Sequence, residues 1–187
     1  MKNIKKIIFI ASMLLCGNSS AATISWSSPT TNISINDTFT IDIIGTDFLT
    51  NVDGGGINFT FDQNILNVVS VSIDQSVWDF GGFGINSGTI DNVNGTANEI
   101  MVNTFSNVTN NFVIASIDFT AMTDGISLLT LSEYDLNPWA SGGSLINPDF
   151  VNTQISVSSV PLPAGIWLLG SGLIGLTGFI KRKKLNA

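Results

Sequence analysis

Asp91, Asn94 and Glu99 surround an Asn94-Gly95 pair, and Asp47 and Asp53 lie in a stretch that runs into three consecutive glycines. Carboxylate and amide oxygens gathered in this way are the ligands that calcium takes. Neither set completes an EF-hand loop, which needs more acids ahead of its glycine, and the same residues equally cap turns. Trp78, Phe80, Phe83, Tyr134 and Trp139 fall in or near Gly- and Asn-rich segments, where they could form a stacking platform for sugar rings or be packed into the core. A carbohydrate-binding module would hold Trp78, Phe80 or Trp139 coplanar and exposed. Glycoside hydrolysis would need two carboxylates roughly 5 to 10 Å apart in a cleft. The sequence singles out no such pair among its 14 acidic residues.

Other chemistries are excluded by composition. The 187-residue chain has no histidine and one cysteine, Cys16. Zinc sites, disulfide scaffolds, and Ser or Cys nucleophiles activated by His are therefore out of reach of the body of the protein. All 14 acidic residues lie between Thr23 and Ile180, where there is no Lys or Arg. A surface of that sign repels nucleic acid, whose binding depends on Lys and Arg contacts to phosphate. It also lacks a cation to grip a phosphate or shift a carboxylate's pKa, so the expectation is a non-catalytic protein without a cofactor, with calcium as the one candidate ion.

The elements that must position these residues read as short strands. Phe39, Ile41 and Ile43 alternate with Thr38, Thr40 and Asp42, a period of two that sends the apolar set to one face. Ile57, Phe59 and Phe61 alternate with Asn58 and Thr60 in the same way. A third strand is expected near 65–73, with Val69, Val71 and Ile73 on one side, Ser70 and Ser72 on the other, and a tight connection at 62–64 ahead of it. Stretches 88–91 and 100–105 flank 92–95, where Asn94-Gly95 suits a hairpin turn. Stretches 113–121, 126–131 and 154–157 bring the total to eight or nine strands. Two half-apolar sheets must bury their faces on each other, so the expected class is an all-β antiparallel sandwich over residues 23–159.

The ends of the chain carry its targeting information. All seven basic residues are there: Lys2, Lys5 and Lys6, then Lys181, Arg182, Lys183 and Lys184. Residues 1–22 have the three parts of a secretory signal peptide: a basic start, the apolar stretch 7–15, and small residues Ser20, Ala21 and Ala22 suited to cleavage between Ala22 and Thr23. Leu15 is too bulky for a lipoprotein processing site ahead of Cys16, so that cysteine is expected to leave with the signal. Residues 164–180 are uncharged and as a helix would span about 25 Å, short but adequate for the apolar part of a bilayer. Lys181, Arg182, Lys183 and Lys184 form a membrane stop and orientation signal, with the body outside by the positive-inside rule.

Two resemblances follow from particular residues. The stretches 37–43, 57–71 and 114–121 resemble a cohesin-type domain, a jelly-roll sandwich used extracellularly for docking. The resemblance implies a cohesin-like, jelly-roll body that binds another surface protein or a polysaccharide. Val160, Pro161, Leu162, Pro163 and Ala164, followed by the transmembrane stretch 164–180 and the basic tail 181–184, are similar to the VPLPA variant of the PEP-CTERM sorting signal. That family's signal implies processing by an exosortase, which recognises the proline motif on the outer side of the membrane. Residues 160–187 then form a sorting segment, and the protein is expected to be exported, membrane-anchored before processing, and afterwards placed in the cell envelope, surface or matrix. Pro161 and Pro163 would keep the motif extended and open to an enzyme.

Overall fold

Phe39, Ile41 and Ile43 all turn inward, as their alternation requires, but they share one strand with Ile57 and Phe59. That strand, β3 (Thr38–Thr60), replaces the two separate strands that the sequence suggests. The computed structural model describes residues 21–27, 33–80 and 84–159. Its other strands are β1 (Thr23–Trp26), β2 (Ile33–Ser34), β4 (Leu66–Ser72), β5 (Asn86–Asp91), β6 (Thr96–Ala121), β7 (Gly125–Glu133), β8 (Ala140–Ser141), β9 (Ser144–Leu145), β10 (Asp149–Val151) and β11 (Thr153–Ser158). The expected segments 100–105 and 113–121 are likewise one strand, β6.

β3 and β6 form a single antiparallel ladder from Thr38 opposite Thr120 to Thr60 opposite Thr96. Its register shifts repeatedly between Ile43 and Gly54. Bulges of this kind add twist and bend a strand, and here they fold the ladder over on itself. One half carries β10, β1 and β4, giving the order β10-β1-β3-β6-β4. The other half carries β5, β7, β11 and β2, giving β5-β6-β3-β7-β11-β2. The two layers are thus halves of one continuous sheet of eleven strands. Two of its pairings are parallel, β1 with β10 and β2 with β11, which corrects the all-antiparallel expectation. Both join residues far apart in sequence, for which no local pattern exists.

The core lies between the layers. Phe119 of β6 is stacked on Phe39 at 5.7 Å and meets Phe59 and Phe61 of the facing layer at 6.2 Å each. Trp26 of β1 meets Phe59 edge-on at 5.2 Å. Aromatic pairs in such geometries add about 0.5–1.5 kcal/mol beyond the area they bury.

Local readings survive where turn chemistry governs. Asp62 closes the expected connection: its carbonyl accepts from Ile65 N and Leu66 N, and its Oδ1 accepts from Asn64 N at 2.9 Å. Gly95 ends the β5–β6 turn at φ +68°, and a Cβ there would stand 2.3 Å from the Phe61 carbonyl oxygen, so only glycine fits. In β4 a register shift between Val68 and Ser70 buries Val68 and Val71 and leaves Val69 59% exposed, against the expected alternation. The bulge inserts one residue and flips the parity before it.

With no cation in the body, hydroxyls and amides serve the carboxylates. On the outer face of the first layer, Thr40 Oγ1 and Ser70 Oγ each donate to Asp118 at 2.6 Å, and Ser116 Oγ donates to Asp42 at 2.6 Å. The bonds from Ser70 and then Thr40 hold the Asp118 carboxyl below the usual range, because they favour its charged form.

Thr23 opens β1, and Asp149 N donates to the Ala22 carbonyl at 2.8 Å. The rest of the signal segment, residues 1–20, lies outside the described residues, as does the sorting segment 160–187 with its motif, its expected membrane helix and its basic tail. Among the described residues no helix is long and apolar enough to cross a membrane.

Candidate functional site

Where β3 and β6 bend from one layer to the other, their side chains leave the regular pleat and line an open groove of about 750 Å³. β3 supplies Thr50, Asn51 and Asp53, β6 supplies residues 103–107, and the short β8–β9 hairpin adds Ser141 and Gly142. Phe80 closes the fourth side. The groove sits at the end of the fold opposite the exit of the last strand. β11 runs from Thr153 beside Leu129 to Val157 beside Gly125, away from the end of β7 that pairs with Ile57.

Phe105 is the groove's most accessible ring, 82% exposed. Phe80 meets it edge-on at 4.5 Å. The backbone beneath is pinned by Asp79, whose carboxylate accepts from Thr104 Oγ1 at 2.7 Å, Phe105 N at 2.9 Å and Ser106 Oγ at 2.8 Å. Across the floor Asn51 Nδ2 donates to Asn107 Oδ1 at 2.7 Å. Asp53 Oδ2 accepts from Gly143 N at 3.1 Å, which ties the β8–β9 turn to β3.

The bonds to Asp79, with that from Thr104 leading, draw its pKa down to about 2. A depressed folded-state value adds stability above the unfolded value of about 3.9, and that contribution is lost as pH falls toward 2. The Asp79 carboxyl carbon shift is therefore expected to titrate with a midpoint near 2. In the Asp79→Asn variant, Phe105 amide protection should no longer change across that window. A midpoint near 4 would contradict the bonding described.

The aromatic residues singled out by sequence fare differently. Trp78 and Trp139 are fully buried, so neither is a stacking surface. They extend the core to the groove end with Phe48 and Phe112: Trp78 meets Phe112 at 5.4 Å, and Phe48 meets Phe112 at 4.9 Å and Trp139 at 5.8 Å. Trp78 Nε1 donates to the Val113 carbonyl at 2.9 Å. Phe80 and Tyr134 are half-buried, and Phe83 lies outside the described residues. Phe105 went unnoticed, although Ile100 and Val102 point inward and strand parity then sends Phe105 out.

The calcium candidates are spread over different roles. Asp91 caps its turn, accepting from Val93 N, Asn94 N and Asn94 Nδ2. Glu99 sits at φ +65°, and its N–H goes to Asn58 Oδ1. Asp53 is at the groove, and Asp47 N donates to Asn111 Oδ1. No three acidic residues among the described ones converge to hold a metal ion.

A second surface lies on a sheet face. On the outer face of the second layer, Ile126 is 62% and Leu128 50% exposed on β7. They stand beside Ser156 and Gln154 of β11, and farther along β7 Thr130 and Ser132 face Thr60 and Asn58 of β3.

No family model and no curated protein matches this sequence. Solved structures do. A type I cohesin–dockerin complex from Clostridium thermocellum superposes with a TM-score of 0.60 at 9% identity, over 74% of this chain and 100% of that one. A cohesin from Clostridium acetobutylicum, solved in solution, gives 0.57 at 19% identity over 74% and 93%. A non-cellulosomal cohesin from the hyperthermophilic archaeon Archaeoglobus fulgidus gives 0.57 at 13% identity over 75% and 93%. Likeness at these identities is one of fold, and the body of this chain has an all-β, cohesin-like fold.

Proposed function

We propose that the chain is an exported, non-catalytic binding module, sorted by an exosortase through its C-terminal segment and carried on the outer side of the membrane. One arrangement carries this reading: a cohesin-like body with 14 carboxylates and no cation, set between two apolar stretches that abut the chain's only basic residues. Translocation leaves Lys and Arg behind and passes the rest. Among the described residues, the groove at the bend is lined by one carboxylate, Asp53, where glycoside hydrolysis takes two.

The partner we assign to the body is another surface protein. Ile126 and Leu128 form an apolar centre on a sheet face of Ser, Thr, Asn and Gln, the composition of a docking patch with a polar rim. Cohesin–dockerin complexes are among the structures of this shape, and a protein ligand suits a sheet face better than a small molecule does.

The test has two arms. Intact-mass analysis of protein from membrane and medium is expected to find a chain that starts at Thr23 and ends near Ala164. Changing Pro161 and Pro163 together to alanine should leave the C-terminal segment attached. Full-length protein in the wild type, or an unchanged end in the variant, contradicts the sorting reading. In the second arm, a photo-crosslinker at position 128 is expected to couple to one defined surface polypeptide, and Ile126→Asp should abolish the adduct. An adduct that survives this change rejects the assigned face.

A further inference from the structure

We propose that the groove at the bend is a binding site for a neutral glycan, with Phe105 as its stacking platform and Asn51, Asn107 and Asp53 as its hydrogen-bonding groups. Phe105 presents a large apolar ring to water where a folded chain would ordinarily bury it. It is also held in place, edge-on against Phe80 at 4.5 Å and anchored at its own N–H by Asp79. A ring already fixed loses little freedom when a ligand covers it, which is where binding sites gain affinity.

The surroundings define the ligand. A sugar ring has an apolar face of C–H bonds and a rim of hydroxyls, each both donor and acceptor. The groove matches both halves: one open aromatic face, and around it amides, hydroxyls and a carboxylate. The bond from Asn51 to Asn107 leaves Asn51 Oδ1 as an acceptor and Asn107 Nδ2 as a donor. Asp53 Oδ1 stands as a further acceptor beside the bond that Oδ2 receives. Charge excludes the alternatives, since the body has no cation to hold a phosphate, sulfate or uronate, and Asp53 would repel them. Only Phe80 and Phe105 among its eleven lining residues are hydrophobic side chains, whereas sites for greasy ligands are lined mostly by such side chains. The volume, about 750 Å³, falls in the range of small-ligand sites.

The site is independent of the docking face, so the two can fail separately. Full-length protein in a polyoxyethylene-ether detergent, which carries no sugar headgroup, is run through native gels containing galactomannan, xyloglucan or mixed-linkage β-glucan, with alginate as the anionic control. At least one neutral polymer is expected to retard it, and alginate should not. Phe105→Ala should raise Kd at least tenfold and Asn107→Ala at least threefold, both with unchanged circular dichroism, while Ile126→Asp should bind as the wild type. Retardation by no neutral polymer, retardation by alginate alone, or wild-type affinity in both Phe105→Ala and Asn107→Ala overturns the proposal. Should Phe105→Ala misfold, Asn107→Ala and Asn51→Ala carry the same decision.

Discussion

Phe119→Ala is expected to lower the free energy of unfolding by about 3–5 kcal/mol, the range for removing a buried aromatic ring. The position is fully buried in β6, and its ring meets four others: Trp26, Phe39, Phe59 and Phe61. Phe39 and Phe59 come from the two halves of the folded-over ladder, so the cavity left behind lies at the junction of the layers. Neighbours cannot collapse into it without moving a strand that is paired on both sides, because β6 runs between β3 and β4 at this point. Against a total stability of roughly 5–15 kcal/mol, the loss takes a large share. Urea unfolding followed by tryptophan emission measures it, since Trp26 sits on the same cluster. A loss below about 1 kcal/mol would mean that Phe119 does not join the layers.

The sequence showed the two ends of the long strands and missed their middles. Phe39, Ile41 and Ile43, like Ile57 and Phe59, lie where one face is buried and the other wet, and a period of two records that directly. Between them, residues 45–54 cross from one layer to the other with shifting register. There each residue answers to the bend and not to a sheet face, so polar and glycine residues read as a loop although the backbone still pairs. The same bend hid the candidate site. Trp78 and Trp139 leave platform and core packing both open because they lie in or near Gly- and Asn-rich segments, and in the structure both indoles pack on Phe112. Phe105 was legible by parity from Ile100 and Val102, a signal present in the sequence and passed over. The pairings of β1 with β10 and β2 with β11 had no signal at all, since nothing local distinguishes parallel from antiparallel partners.

Gly55, in the glycine run at the bend, makes room for Trp139, and a double-mutant cycle is expected to show it. A Cβ built on Gly55 would lie 2.1 Å from Trp139 Cδ2 and 2.4 Å from Cε2, inside the indole and not at a flexible chain end. Trp139 is fully buried against Phe48 and Phe112, so it has nowhere to retreat. Gly55→Ala should therefore cost about 1–3 kcal/mol by overpacking, although alanine ordinarily suits a strand better than glycine. Trp139→Leu alone should also destabilise through the cavity it leaves, by less than the roughly 3–5 kcal/mol of truncation to alanine. Once the indole is gone, the added methyl meets open space, and Gly55→Ala in that background should cost close to nothing. The coupling between the two positions is then about 1–3 kcal/mol of favourable interaction in the double variant. The effect reaches the groove as well. Gly54, next to Gly55, pairs with Ala140, and Ser141 and Gly142 follow as one wall. Displacing Trp139 moves that wall, so Gly55→Ala should weaken glycan retardation while Trp139→Leu restores part of it in the double variant. Strict additivity of the two stability changes would sink this account, because it would mean that the indole and the glycine do not share the space.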